Sequence, residues 1–256
     1  MNEVLTTSSD AVEIAEREHL EPVADLNTPI VTALEKAKAS NPDLAQKIIP
    51  DYVHPGPSGH LLMAGALLKT WQAPSIVTEV EIDAGAKKVA RAQNTKVTGL
   101  EESSGTLRWV QADQALPMPV DMNDPVIALA VNSSDFVQAL DEQPLKVTGL
   151  KEGTFVLKID GSEVGKFSSE QLVHGVNLAL IPTPMFKQAQ EVHKLTLQHN
   201  EIHFVRWRQV QVRAMNADHM ALEKALDGLD ALEEDIVKKQ RAAAQPVEHK
   251  YELMPL

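Results

Sequence analysis

The chain has 256 residues, 43% of them hydrophobic, and a formal charge of −12. That is enough apolar material for one large or two modest domains, with a sign that opposes binding to nucleic-acid phosphates. There is no cysteine, which excludes disulfides, thiolate metal sites and a cysteine nucleophile.

No run reaches the roughly 18 apolar residues of a membrane span. The opening Met1–Asp10 lacks the basic start and apolar stretch of a signal peptide. Instead, Val4, Leu5, Ala11, Val12 and Ile14 are spaced for one face of a helix over residues 2–18. Val23-Ala24-Asp25-Leu26 then reads as a short strand, and Asn27-Thr28-Pro29 opens a helix with Ile30, Val31, Leu34 and Ala37 as its buried stripe. Asn41-Pro42-Asp43 opens a short helix, Leu44 to Ile49, that Pro50 stops. A Pro- and Gly-containing loop, Asp51 to His60, leads to a helix over Leu61–Trp71 with Ser58 as its N-cap. This alternation is that of an α/β layered fold.

At Ala73-Pro74 the texture changes. Segments 76–84, 87–98 and 106–112 are rich in Val, Ile and Thr and read as strands. Segment 126–140 fits a buried helix or a strand. Strands resume at Leu145–Leu150 and Thr154–Ile159, and Asp160-Gly161 is a hairpin turn before Glu163–Phe167. Ser168-Ser169-Glu170 starts a helical turn, and Val176–Ile181 is the last strand of this β-rich stretch. Lys-Val-Thr-Gly-Leu occurs at 96–100 and again at 146–150, too short a match to establish a repeat.

From Pro184 the pattern is helical, with Met185, Val192, Leu195, Ile202 and Val205 on one face. A second helix, Leu222 to Ala244, carries Leu222, Leu226, Leu229, Leu232 and Ile236, so 184–244 reads as an antiparallel hairpin joined at Met215–Asp218. The tail is extended and can pair through Tyr251-Glu252-Leu253. The resulting divisions are 1–74, a β-rich module over 75–182, and a helical hairpin with tail over 183–256.

The chemistry centres on Asp51 and His54, a carboxylate and an imidazole three residues apart in a loop that can hold both on one side of a sheet edge. A carboxylate fixing an imidazole is half of a nucleophilic hydrolase site. The phrase Asp-x-Val-His-Pro-Gly-Pro-Ser-Gly-His-Leu-Leu-Met-Ala, residues 51–64, resembles the final motif of the SGNH (GDSL-type) hydrolases. The resemblance covers residues 1 to about 72. It implies a partial flavodoxin-like three-layer fold with Val23–Leu26 as its last strand, hydrolysis of an ester on a small molecule or carbohydrate, and no cofactor. It makes His54 the general base and Asp51 the residue that holds its tautomer.

The rest of that family's pattern is not found. No glycine precedes Gly56, the upstream serines are Ser8, Ser9 and Ser40, and neither Asn2 nor Asn27 stands in a Gly-x-Asn phrase. The expectation is therefore a C-terminal part of a longer, exported hydrolase, inactive alone for want of its nucleophile and oxyanion donors. The alternative is a non-catalytic carbohydrate- or protein-binding module.

Three other groupings read as packing. His199 and His203, with Glu201 and His193 nearby, have the i, i+4 spacing of a zinc pair but lack the metalloprotease order. Trp207, between Arg206 and Arg208, suits a helical core with its arginines on nearby acids, and Trp109 a strand core. His60 caps or packs in the first turn of its helix, while Glu101-Glu102 and Glu233-Glu234-Asp235 are solvated charge runs.

Overall fold

The computed structural model describes residues 23–256, so the helix expected over 2–18, with Asn2, Ser8 and Ser9, lies outside the described residues. The chain is a mixed α/β protein with two sheets and a C-terminal helical region. It divides into two compact units. One runs up to Val77 and includes Val120–Gln143; the other comprises Thr78–Pro119 and Pro144–Leu256.

Among the described residues the first unit is helical. It contains α1 (Asn27–Ser40), α2 (Pro42–Ala45), α3 (Pro57–Thr70), α4 (Pro125–Asn132) and α5 (Phe136–Leu140). Segment 126–140, which sequence periodicity leaves open and which falls inside 75–182, is thus helical and belongs with the N-terminal helices. The reason is visible at its start: Asp124 accepts the N–H groups of Val126 and Ile127, and Pro125 supplies the fixed φ of a first helical residue. Ala130 then joins Ile30, Ala33, Ala37, Ala45, Ile48 and Leu62 in one small core.

Val23–Leu26 is not a strand. Asp25 Oδ1 accepts from the N–H groups of Asn27 (2.9 Å) and Thr28 (3.0 Å), so the segment serves the free donors of the first turn of α1 rather than a ladder. The start of α3 also differs from expectation. Gly56 is its N-cap and Pro57 its first residue, while Ser58 lies inside the first turn and is buried.

The second unit holds both sheets. Strands β1 (Glu79–Asp83), β2 (Lys88–Gln93), β3 (Thr95–Ser103), β4 (Thr106–Asp113), β5 (Pro144–Thr148), β6 (Thr154–Ile159), β7 (Ser162–Ser168), β8 (Val176–Asn177) and β9 (Glu248–Pro255) form a four-stranded sheet ordered β2-β1-β5-β8 and a five-stranded sheet ordered β3-β4-β9-β6-β7. Residues of both, including Val80, Ile82 and Val147 from the first and Leu107, Trp109, Leu157 and Leu253 from the second, share one core. The strict alternation of burial along β4 is the period-2 pattern of a strand with one covered face.

The run 87–98 is broken at Asn94, whose φ of 52° turns the chain between β2 and β3. The expected last strand keeps only Val176–Asn177, because Asn177 Oδ1 takes the N–H of Ala179 and turns the chain. The two Lys-Val-Thr-Gly-Leu copies sit in different sheets, one within β3 and one ending β5. What they share is a left-handed glycine, Gly99 and Gly149. At Gly149 a Cβ would stand 2.7 Å from the Gly85 nitrogen, so glycine is required there.

A short helix, α6 (Ser169–His174), opens on a capping box between Ser168 and Gln171. The hairpin is α7 (Pro184–Phe204), a π-helical continuation Val205–Gln211, and α8 (His219–Ala243). The tail is more than a loose strand. As β9 it is the middle of the five-stranded sheet, hydrogen-bonded to β4 on one side and β6 on the other, with Tyr251 and Leu253 buried.

Candidate active site

The Asp51–His54 loop is pinned at both ends to the turn after α2. The N–H of Tyr52 donates to the Ile49 carbonyl (3.1 Å) and that of Gly56 to the Ile48 carbonyl (2.9 Å). The expected sheet edge is replaced, among the described residues, by this turn and the start of α3. Tyr52 takes φ 63°, a costly left-handed conformation for a side chain of its size.

Within the loop, Asp51 Oδ1 accepts the N–H of Val53 (3.0 Å) and of His54 (2.7 Å), and Asp51 Oδ2 lies 2.6 Å from His54 Nδ1. The bond to the His54 imidazole, followed by the His54 and Val53 N–H groups, holds the Asp51 carboxyl far below the usual carboxylate range. An ionised carboxylate only accepts, so Nδ1 carries the ring hydrogen of the neutral imidazole and Nε2 presents a lone pair. Nε2 has no hydrogen-bond partner among the described residues. The pair is open to solvent, with the His54 and Asp51 side chains 83% and 56% exposed. The two residues singled out by the sequence are thus brought into hydrogen-bond contact.

No described serine reaches them. Ser58 is buried in α3, and Ser40 ends α1. Beside the loop lies an apolar concavity of about 580 Å³, walled by Ile30, Val31, Leu34, Ile49 and Tyr52. Val31 and Leu34, expected in the buried stripe of α1, are only half-buried because they face this hollow. His60 bonds within its own helix start, Nδ1 donating to the Gly56 carbonyl (3.0 Å).

The other groupings resolve differently. His199 and His203 turn toward Glu233 on α8, at 3.7 and 3.2 Å, rather than toward Glu201. No group of three or more His, Cys, Asp or Glu side chains among the described residues is arranged to hold a metal ion. Trp207 is not in a core: it is half exposed, in the π-helical segment, with the Arg208 guanidinium 5.5 Å from its ring centroid. The wider turn of that segment shifts every following side chain away from the phase that a regular helix predicts. Arg206 does pair with an acid, Asp230. Trp109 is buried and stacks on Tyr251 with centroids 5.0 Å apart.

One pair escapes sequence reading altogether. His249 Nδ1 lies 2.7 Å from Asp160 Oδ2, joining the central strand to the β6–β7 turn across 89 positions. Burial pushes the Asp160 carboxyl up, but the Lys250 N–H and the His249 imidazole outweigh it and hold it below its ordinary value. No local spacing signals such a contact.

No known family matches the chain, and no curated protein does. Among solved structures it is similar to a gut microbial diltiazem-metabolizing enzyme, with a TM-score of 0.73 and 22% identity over 90% of this chain. The chain spans 61% of that structure's length. At this identity the likeness speaks for the fold.

Proposed function

We propose that Asp51 and His54 are the holder and general base of an ester-hydrolysing site of SGNH type, whose hydroxyl nucleophile and oxyanion donors come from polypeptide other than the described residues. The observation that carries this is the doubly anchored carboxylate on Nδ1, which leaves Nε2 free to take a proton. In the first half-reaction Nε2 takes the serine hydroxyl proton as the oxygen attacks the ester carbonyl, then returns it to the departing alkoxide. Water repeats the sequence on the acyl-enzyme and releases the acid. Asp51 remains ionised throughout, as its depressed carboxyl requires, and stabilises the transient imidazolium.

The apolar concavity beside the loop is the surface on which the nucleophile-bearing polypeptide would pack. A similar fold in a diltiazem-metabolizing enzyme accords with a small-molecule substrate. The test is turnover of p-nitrophenyl acetate by the complete gene product and by the 256-residue chain. Turnover by the complete product should fall about 10⁴-fold in Asp51→Asn and at least as far in His54→Ala, while the 256-residue chain stays at the buffer rate. Brisk hydrolysis that survives His54→Ala would refute the assignment.

A further inference from the structure

We propose that the C-terminal hairpin of α7 and α8 is a self-association element that packs on the hairpin of a second copy of this chain. The polar contacts between the two helices lie toward one side of their seam: His203 with Glu233, Arg206 with Asp230, and Gln240 with Thr196. At about 100° per residue, Val205 of the first arm and Ala225, Gly228 and Leu232 of the second point away from those contacts, with Ile202 and Leu229 at the margin between. Toward the root this side is covered, with Leu195 and Ile236 buried. Beyond them it is open: no residue from 196 to 235 is fully buried, Val205 is 38% exposed and Leu232 52%. Two helices alone cannot enclose such a seam, whereas four can.

Gly228 points the same way. It stands in the interior of a 25-residue helix, where glycine is the least favoured residue after proline, and a Cβ there would meet nothing within 4 Å. Nothing among the described residues requires its smallness, but a helix packed closely against it would.

Size and charge select a second copy as the occupant. The part of α8 open on this side, residues 219–235, gives a face about 26 Å long and, for two helices side by side, about 20 Å wide. That is about 500 Å² per partner, or about 1,000 Å² for two copies, the lower bound of a specific interface. The chain carries −12 overall, yet 184–244 has nine acidic and nine basic residues. Residues 184–217 hold five basic against two acidic, and 218–244 four basic against seven acidic. A two-fold axis parallel to the helices lays each basic arm on the partner's acidic arm, in a four-helix bundle with antiparallel neighbours.

Light scattering behind size exclusion, at micromolar concentration, tests this on the whole chain. The wild type should be a dimer. Val205→Asp and Leu232→Asp should each be monomeric with unchanged far-ultraviolet circular dichroism, and Lys238→Ala, on the polar side, should remain dimeric. Since the chain has no cysteine, Val205→Cys chains mixed with Leu232→Cys chains should give an oxidised covalent dimer that neither variant gives alone. A monomeric wild type, or a dimer indifferent to both aspartates, overturns the proposal. Cross-linking by Val205→Cys alone overturns the two-fold arrangement.

Discussion

Gly59→Ala probes the packing that carries the candidate base. Gly59 lies in the first turns of α3 and is buried. A Cβ built there stands 2.7 Å from Pro55 Cβ and 2.8 Å from the Ile48 carbonyl oxygen. One contact is a ring carbon and the other a backbone atom, so neither can swing aside as a flexible side chain would. In an unhindered helix, alanine in place of glycine gains about 0.5–1 kcal/mol. Overpacking a rigid site costs about 1–3 kcal/mol. With two contacts well inside normal separation the upper part of that range applies, and the net loss is about 1–2 kcal/mol. The Ile48 carbonyl also accepts the Gly56 N–H, so relief of the clash must displace the loop between Ile48 and Gly56, which includes His54. Native-state hydrogen exchange of the α3 amides gives the stability change, and the His54 ring resonances report the displacement. Unchanged or slower exchange in Gly59→Ala, with unmoved His54 resonances, would refute the reasoning.

Two further outcomes follow from the geometry. The Asp51 carboxyl should titrate in ¹³C NMR well below the ~3.9 of a free aspartate, and His54→Ala should move it back up, because the imidazole bond is the largest cause of the depression. The sign is that of a depressed acid. The loop's stabilisation by Asp51 is complete above the unfolded value and is lost only as pH falls toward the folded one, so weakening of the loop between pH 5 and 8 through Asp51 protonation would contradict it. Leu253→Ala, at a fully buried position on the central strand, should cost about 2–5 kcal/mol in denaturant unfolding of the sheet-bearing unit. A loss under 1 kcal/mol would show that β9 is not central.

Local chemistry was legible in the sequence wherever neighbours along the chain decide it. Asp51 and His54 are three residues apart, so one tight loop suffices to join them, and the structure joins them. Asp160-Gly161 takes left-handed φ at both positions, as a two-residue hairpin demands. The strand Thr154–Ile159 and the two helices of the hairpin likewise follow from period and caps alone.

Only the tertiary structure decided what depends on distant partners. Val23–Leu26 is apolar enough for a strand, but the open N–H groups of α1 claim Asp25. Segment 126–140 lies among strands in the chain, yet it packs with helices some ninety residues earlier. Tyr251 and Leu253 suggest pairing, and nothing nearby reveals that they run between β4 and β6 at the centre of a sheet. Trp207 is outside the expected core because it stands at a level of the hairpin where no residue is fully buried. Periodicity reports which face of an element is apolar; which surface covers that face, and in what register, is set by residues it cannot see.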